Sequence, residues 1–203
     1  MPNPSFPPLF GLVLGGGQSR RMGRDKASLA YHGKPQIVHA WELLREAGLQ
    51  AYVSCRSDQV EAEGFRGLPQ IPDRFLDFGP MGGILSALLF RREAAFLAVA
   101  CDLPFLDAGA LSDLIAARDP SKIATAYLSP GGLPEPLCAI YEPTAYPKLL
   151  EFMGQGIHCP RKALCNSDIL GINSTNTEAL ANVNHPEEYE AAQETLRKSS
   201  IPR

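Results

Sequence analysis

Short, continuous apolar runs alternate along the chain with longer stretches whose apolar residues recur every three or four positions. Phe10 to Leu14 (FGLVL) is the first such run and reads as a buried strand. From Pro35 onward, Ile37, Trp41, Leu44 and Gly48 fall on one stripe, which predicts a helix with Pro35 in its first turn and Gly48 at its stop. Ala51 to Cys55 predicts a second strand, and Pro69 to Pro72 a brief third. Gly79 to Gly83 opens a helix running through Phe90, apolar at Ile84, Leu85, Leu88 and Leu89. Ala95 to Cys101 (AFLAVAC) is apolar throughout, as expected of a central parallel strand covered on both faces. Asp107 is placed to cap a helix to Arg118 through Leu111, Leu114 and Ile115. Further strands are expected at 122–127, 137–141 and 168–172, and further helices at 143–153, 158–165 and 186–197.

Strands that alternate with helices predict an α/β three-layer sandwich with a mostly parallel sheet and right-handed crossovers. The expected organisation is an unstructured lead at 1–8, one domain at 9–197 and a loose tail at 198–203. The domain is expected to divide near 118 into two halves, about 9–118 and 119–197. The Pro/Gly-rich stretch SPGGLPEP, 129–136, reads as a functional loop.

The chain has 203 residues, with 19 Lys plus Arg against 22 Asp plus Glu, a net charge of −3. That balance argues against a general nucleic-acid binder, which would carry a basic excess. The N-terminus lacks the basic region and apolar run of a signal peptide, and no apolar stretch is long enough to span a membrane, so a cytoplasmic protein is expected. Cys55, Cys101, Cys138, Cys159 and Cys165 are odd in number and show no CxxC spacing, which favours reduced thiols over a disulfide framework. His158, Cys159 and Cys165 lack the spacing and fourth ligand of a zinc site. His32, His39, His158 and His185 show no triad spacing and read as structural or exposed.

One segment stands apart from this ordinary composition. Residues 15–26 read GGGQSRRMGRDK, with Arg20, Arg21, Arg24 and Lys26 concentrated in a net acidic chain. Directly after a strand, this loop would lie at the carboxyl edge of the sheet, where open α/β sheets bind ligands. Consecutive glycines permit positive φ and close backbone approach, successive N–H groups can form an anion nest, and the cations suit phosphate. It is neither a dinucleotide fingerprint, since Arg20 stands where the third Gly is needed, nor a Walker loop, since Gly23 is followed by Arg24 and Asp25. A solvated basic loop is the plain alternative.

Leu14 to Lys26 resembles the signature of the molybdenum cofactor guanylyltransferases, the MobA-like members of the nucleotidyltransferase superfamily. Pro72-Asp73, Gly79 to Gly83, Cys101 to Pro104, Pro134 to Pro136 and Asn182 to Glu188 match in the same order, from about Leu9 to about Ala192. The resemblance implies a Rossmann-like nucleotidyltransferase fold that transfers GMP from GTP to the terminal phosphate of molybdopterin, with Mg²⁺ as cofactor. In that reading Leu14, Gly15, Gly16 and Gly17 lie against the nucleotide, and Arg21 and Lys26 neutralise its triphosphate and the departing pyrophosphate. Asp73 reaches base or ribose; a turn-forming Asp after Pro72 is its rival reading. Ser54 stands where the family often carries Asn, and is a nucleotide contact by position. Asp102 ends the most apolar strand, where an unpaired carboxylate is costly, and the family uses the corresponding Asp as its magnesium ligand. Asn182, Asn184 and Pro136 would meet the pterin acceptor; Asx turns before the last helix are the alternative for the two Asn.

The acceptor implied is a phosphate monoester, already largely dianionic at neutral pH with a second pKa of about 6, so no general base is required. The resemblance further implies transient contacts with cofactor-assembly proteins and molybdoenzymes. Gly16-Gly17, where CTP-using relatives tend to carry Ala, favours GTP. A CTP or sugar-phosphate nucleotidyltransferase and a non-catalytic nucleotide-binding partner are the remaining readings.

Overall fold

The computed structural model describes residues 6–16, 29–62, 64–183 and 186–199. Seven strands form one sheet in the order β3-β2-β1-β4-β6-β5-β7. They are β1 (Leu9–Leu14), β2 (Ala51–Cys55), β3 (Gln70–Pro72), β4 (Ala95–Ala100), β5 (Ala124–Leu128), β6 (Pro134–Tyr141) and β7 (Ile169–Asn173). The helices are α1 (Gln36–Glu46), α2 (Pro80–Phe90), α3 (Ala108–Ala116), α4 (Ala145–Gly154), α5 (Pro160–Cys165) and α6 (Pro186–Ser199). On one face of the sheet, Ile37 and Leu44 of α1 and Leu111 and Leu114 of α3 pack on Val13, Val53 and Val99. On the other, Ile84 and Leu88 of α2, Leu149 of α4 and Leu164 of α5 pack on Leu12, Phe96 and Tyr141. Successive residues of β4 point to opposite faces, so its unbroken AFLAVA run feeds both cores at once and all six residues are buried. The three layers are therefore those the alternation of elements predicts.

Local chemistry explains the boundaries. Asp107 Oδ1 accepts from Ala110 N at 2.8 Å and caps α3. Gly48, at φ +83°, follows the last turn of α1 in the left-handed conformation that stops a helix. No helix among the described residues is long and apolar enough to cross a membrane.

Three expectations are corrected. The lead expected at 1–8 is tied down at its end: Ala95 N donates to Pro8 O at 2.9 Å, and Arg118 donates to Pro7 O at 2.9 Å. The stretch expected as a loose tail from 198 starts inside a helix, because α6 continues to Ser199. The loop expected at 129–136 is a hairpin connection at 129–133, and Pro134 to Pro136 belong to β6. The reason lies in the register. The ladder between β4 and β6 runs from Phe96↔Tyr141 to Val99↔Cys138, so the start of β6 extends past β4. Proline, which has no N–H to donate, is tolerated where one side of a strand has no neighbouring ladder.

Because β6 is antiparallel to both β4 and β5, β5 and β7 regain the direction of β1 and β4. The carboxyl ends of six strands and the amino end of β6 thus emerge on one rim.

Candidate active site

The donor side of this rim is set by register. Leu14 pairs with Ser54 on one side and with Ala100 on the other, and Cys55 pairs with Pro72. Gly15-Gly16, Ser54 to Arg56, Asp73 and Cys101-Asp102 therefore leave the sheet side by side. From β3 to β4 they span three strand spacings, about 14 Å at the usual interstrand distance.

Asp73 is fixed in this row by two hydrogen bonds. Ser54 Oγ donates to its Oδ1 at 2.6 Å, and Asp73 N donates to Cys55 O at 2.8 Å. Burial raises the Asp73 carboxyl to about 6, opposed by the Ser54 hydrogen bond and the Arg56 charge. Ser54 is 1% exposed, so its hydroxyl orients Asp73 rather than facing the rim.

Two glycines make room for the pair. A Cβ on Gly16 would lie 2.6 Å from Asp73 Oδ2, and one on Gly83 would lie 2.5 Å from Ser54 Oγ. Gly15 is likewise a packing residue: a Cβ there would lie 2.6 Å from Ile37 Cδ1 and 2.9 Å from Phe65 Cε1. Neither Gly15 nor Gly16 has positive φ. At these two positions glycine is required for close approach, and the expected conformational freedom is not used. Leu14 and Gly15 are buried, which leaves Gly16 as the partly exposed member of the described glycine segment.

Arg56 belongs to this site although no sequence pattern announces it. Its Nη1 donates to Gly16 O at 2.9 Å, while Nε and Nη2 donate to Asp58 at 3.0 and 3.1 Å. A lone Arg one residue past a strand end, followed by an acidic partner at i+2, is the only signal it leaves.

Asp102 lies half-buried in the turn after β4, and three segments converge on that turn. Val183 N donates to Asp102 O at 3.0 Å, Gln36 Nε2 donates to Leu103 O at 3.2 Å, and His32 Nε2 lies 3.0 Å from Pro104 O. His32 also stacks on His39 at 3.7 Å between ring centroids, and burial lowers His39 to about 4, keeping it neutral.

The Val183 contact brings neighbouring Asn182 beside Asp102. Asn182 lines a cavity of about 10 Å³ with Leu103, Glu135, Leu137, Cys138 and Leu180, room for about one water molecule. Pro136 is buried in β6, and its carbonyl accepts from Tyr141 Oη at 2.9 Å. The wall near Asn182 is instead lined by Glu135 and Leu137, which flank Pro136 in the strand. Gly17, Arg21, Lys26 and Asn184 lie outside the described residues.

The donor set suits one hard cation. Among the described residues no cluster of three or more His, Cys, Asp or Glu could hold a metal by itself. Mg²⁺ does not need one: it commonly takes one or two carboxylates and completes its shell with phosphate oxygens and water. A single carboxylate at a strand end, as at Asp102, fits that pattern.

Residues 11–168 match the MobA-like NTP transferase domain. A molybdenum cofactor biosynthesis bifunctional protein of Synechocystis is 39% identical over 183 residues, covering 90% of the chain; the chain spans about half of that relative, 53% of its length. A molybdenum cofactor guanylyltransferase of Pseudomonas paraeruginosa is 32% identical over 190 residues, 92% of the chain and 96% of the relative. Among solved structures, a molybdopterin-guanine dinucleotide biosynthesis protein A from Archaeoglobus fulgidus superposes with a TM-score of 0.76 at 26% identity, covering 93% of this chain and 98% of that one. With a glycine-lined rim at the carboxyl ends of its parallel strands and a domain match along most of its length, the chain belongs to the MobA-like NTP transferase family of nucleotidyltransferases.

Proposed function

We propose that the protein transfers GMP from GTP to the terminal phosphate of molybdopterin, in the cytoplasm, releasing pyrophosphate. The observation that carries this reading is the likeness to a guanylyltransferase over 96% of that relative's length, with the rim residues in register on adjoining strands. In this reading the guanosine lies along the β3-β2-β1 side. Asp73 meets base or ribose, with Ser54 and Arg56 fixing its direction and charge. Gly16 and Gly17 let the nucleotide approach the backbone, Gly15 packs behind them on Ile37 and Phe65, and Arg21 and Lys26 neutralise the triphosphate. Asn182, Asn184 and the β6 start around Pro136 receive the pterin.

A dianionic acceptor oxygen attacks the α-phosphorus in line. A new P–O–P linkage forms, the bond from the α-phosphorus to the bridging oxygen breaks, and its electron pair leaves with pyrophosphate. Asp102 would hold Mg²⁺, which when bound supplies charge neutralisation for the phosphates. The remaining work is positioning and electrostatics, with no proton to remove from the nucleophile.

The test is pyrophosphate release with Mg²⁺, molybdopterin and one nucleotide at a time. Release with GTP alone is expected. Release with CTP or a sugar phosphate reassigns the substrate, and nucleotide binding without release makes the protein a carrier.

A further inference from the structure

Helix α1 carries a polar residue where its pattern calls for an apolar one. Gln36, Ala40, Leu43 and Leu44 lie on its buried stripe, and Gln36 is 1% exposed. Its side-chain Nε2 donates to Leu103 O at 3.2 Å. A carbonyl partner fixes which end of the amide faces it, because only the NH2 group can donate. Oε1 is thereby turned away, and among the described residues it has no hydrogen-bond partner. An unpaired acceptor at this depth lowers stability, and an apolar side chain of the same length would not. Leu103 O would not be stranded by the change, since Leu106 N also donates to it at 3.4 Å. The amide therefore burdens the fold, and what it supplies is a hold on one carbonyl.

That carbonyl lies one residue past Asp102. Three consecutive carbonyls of this turn each meet a different segment: Asp102 O accepts from Val183 N at 3.0 Å, Leu103 O accepts from Gln36, and Pro104 O lies 3.0 Å from His32 Nε2. The hold from Gln36 comes from a helix seated on the sheet. The next residue, Ile37, and Leu44 pack on Val13 of β1 and Val53 of β2, and Gln36 N donates to Leu29 O at 2.7 Å. The amide thus ties the Asp102 turn to the helix that covers the β1-β2 side of the rim.

We propose that Gln36 is a positioning residue for the cation: by holding Leu103 O, its buried amide fixes the Asp102 turn relative to the β1-β2 side of the rim. This rests on the reading above in which Asp102 holds Mg²⁺. Gln36 acts through the backbone and not on a reacting atom. Its effect is to set beforehand the place of a carboxylate that the cation would otherwise have to order on binding, at a cost in affinity. A polar group left half-satisfied beside such a turn is then explained by the site and not by the fold.

The test uses the whole chain and GTP without an acceptor, so that no turnover enters. GTP affinity is measured by calorimetric titration in Mg²⁺ and again in EDTA, and the ratio of the two is the gain due to the cation. Wild type is compared with Gln36→Met, Gln36→Asn and Asp102→Asn. Met keeps the length of Gln and loses the amide, while Asn keeps the amide on a side chain one methylene shorter, out of reach of Leu103 O. In both Gln36 variants the gain is expected to fall about fivefold, the scale of one lost hydrogen bond, with the affinity in EDTA within about twofold of wild type. The urea midpoint of Gln36→Met is expected at or above the wild-type value. A lower midpoint with GTP weakened equally in both solutions marks a merely structural amide and overturns the proposal, as does an undiminished gain in both Gln36 variants. Asp102→Asn judges the metal reading separately. If it loses the gain while the Gln36 variants keep it, Asp102 stands as the ligand and the proposal alone falls. If Asp102→Asn keeps the gain, or the wild type shows none, the cation is not held at Asp102 and the proposal falls with that reading.

Discussion

Replacing Asp73 with Asn removes one proton-binding site from the rim but leaves an amide oxygen to accept from Ser54 Oγ. Burial is the largest influence on this carboxyl and lifts it from its ordinary 3.8 to about 6. Between those pH values the folded chain binds more protons than the unfolded one, so stability falls as pH rises. The contribution is fully present below pH 3.8 and lost once pH has risen through about 6. At about 1.4 kcal/mol per pH unit, reduced for partial screening by solvent, the loss comes to about 2–3 kcal/mol. Urea unfolding of both proteins from about pH 4 to pH 8 measures it. The variant should gain on the wild type as pH rises, level off near neutrality, and be the more stable protein there, while its affinity for GTP falls. Such a trade marks a carboxylate kept for binding at the expense of stability. A stability difference that does not vary with pH would refute the argument, because Asp73 would then titrate alike in the folded and unfolded chains.

Gly83→Ala should cost about 1–3 kcal/mol in thermal unfolding, because the new Cβ meets Ser54 Oγ at 2.5 Å and Leu14 Cδ2 at 2.9 Å. Glu142→Ala should cost about 3–5 kcal/mol by denaturant titration, since it strands Arg118 after removing a 2.6 Å ion pair whose Glu side chain is 0% exposed. Asp102→Asn should move the magnesium titration of pyrophosphate release to higher concentration by about tenfold or more, as expected when one of few metal-binding carboxylates is lost; an unmoved titration removes Asp102 as the ligand. Lys26→Ala should lower turnover about a hundredfold with an unaltered circular dichroism spectrum, and an active variant withdraws its role at the departing pyrophosphate.

The elements readable from the sequence are those whose signal is local. The AFLAVA run, the Asp107 cap and the Gly48 stop each act within a few residues of themselves, and each stands where the pattern puts it. Prolines misled at β6, because their usual meaning depends on whether a neighbouring ladder exists, and that is a property of the assembled sheet. The site divides in the same way. Asp73, Asp102 and Asn182 were recognisable as candidates, and register explains why the first two share a rim. The bond from Ser54 to Asp73 joins residues 19 apart on neighbouring strands, and that from Gln36 to Leu103 spans 67. No periodicity encodes either. Arg56 is similar: its importance comes from the carbonyl of Gly16, 40 residues away.

The reversal at residues 129–133 has an evolutionary consequence. Ser129 N and Leu133 O close the β5–β6 ladder at 2.8 Å, so the tip beyond them carries no pairing that the sheet depends on. Chain can be added or removed there at little thermodynamic penalty. Descendants of this architecture are therefore free to lengthen the rim at this hairpin while inheriting the β3-β2-β1-β4 platform unchanged.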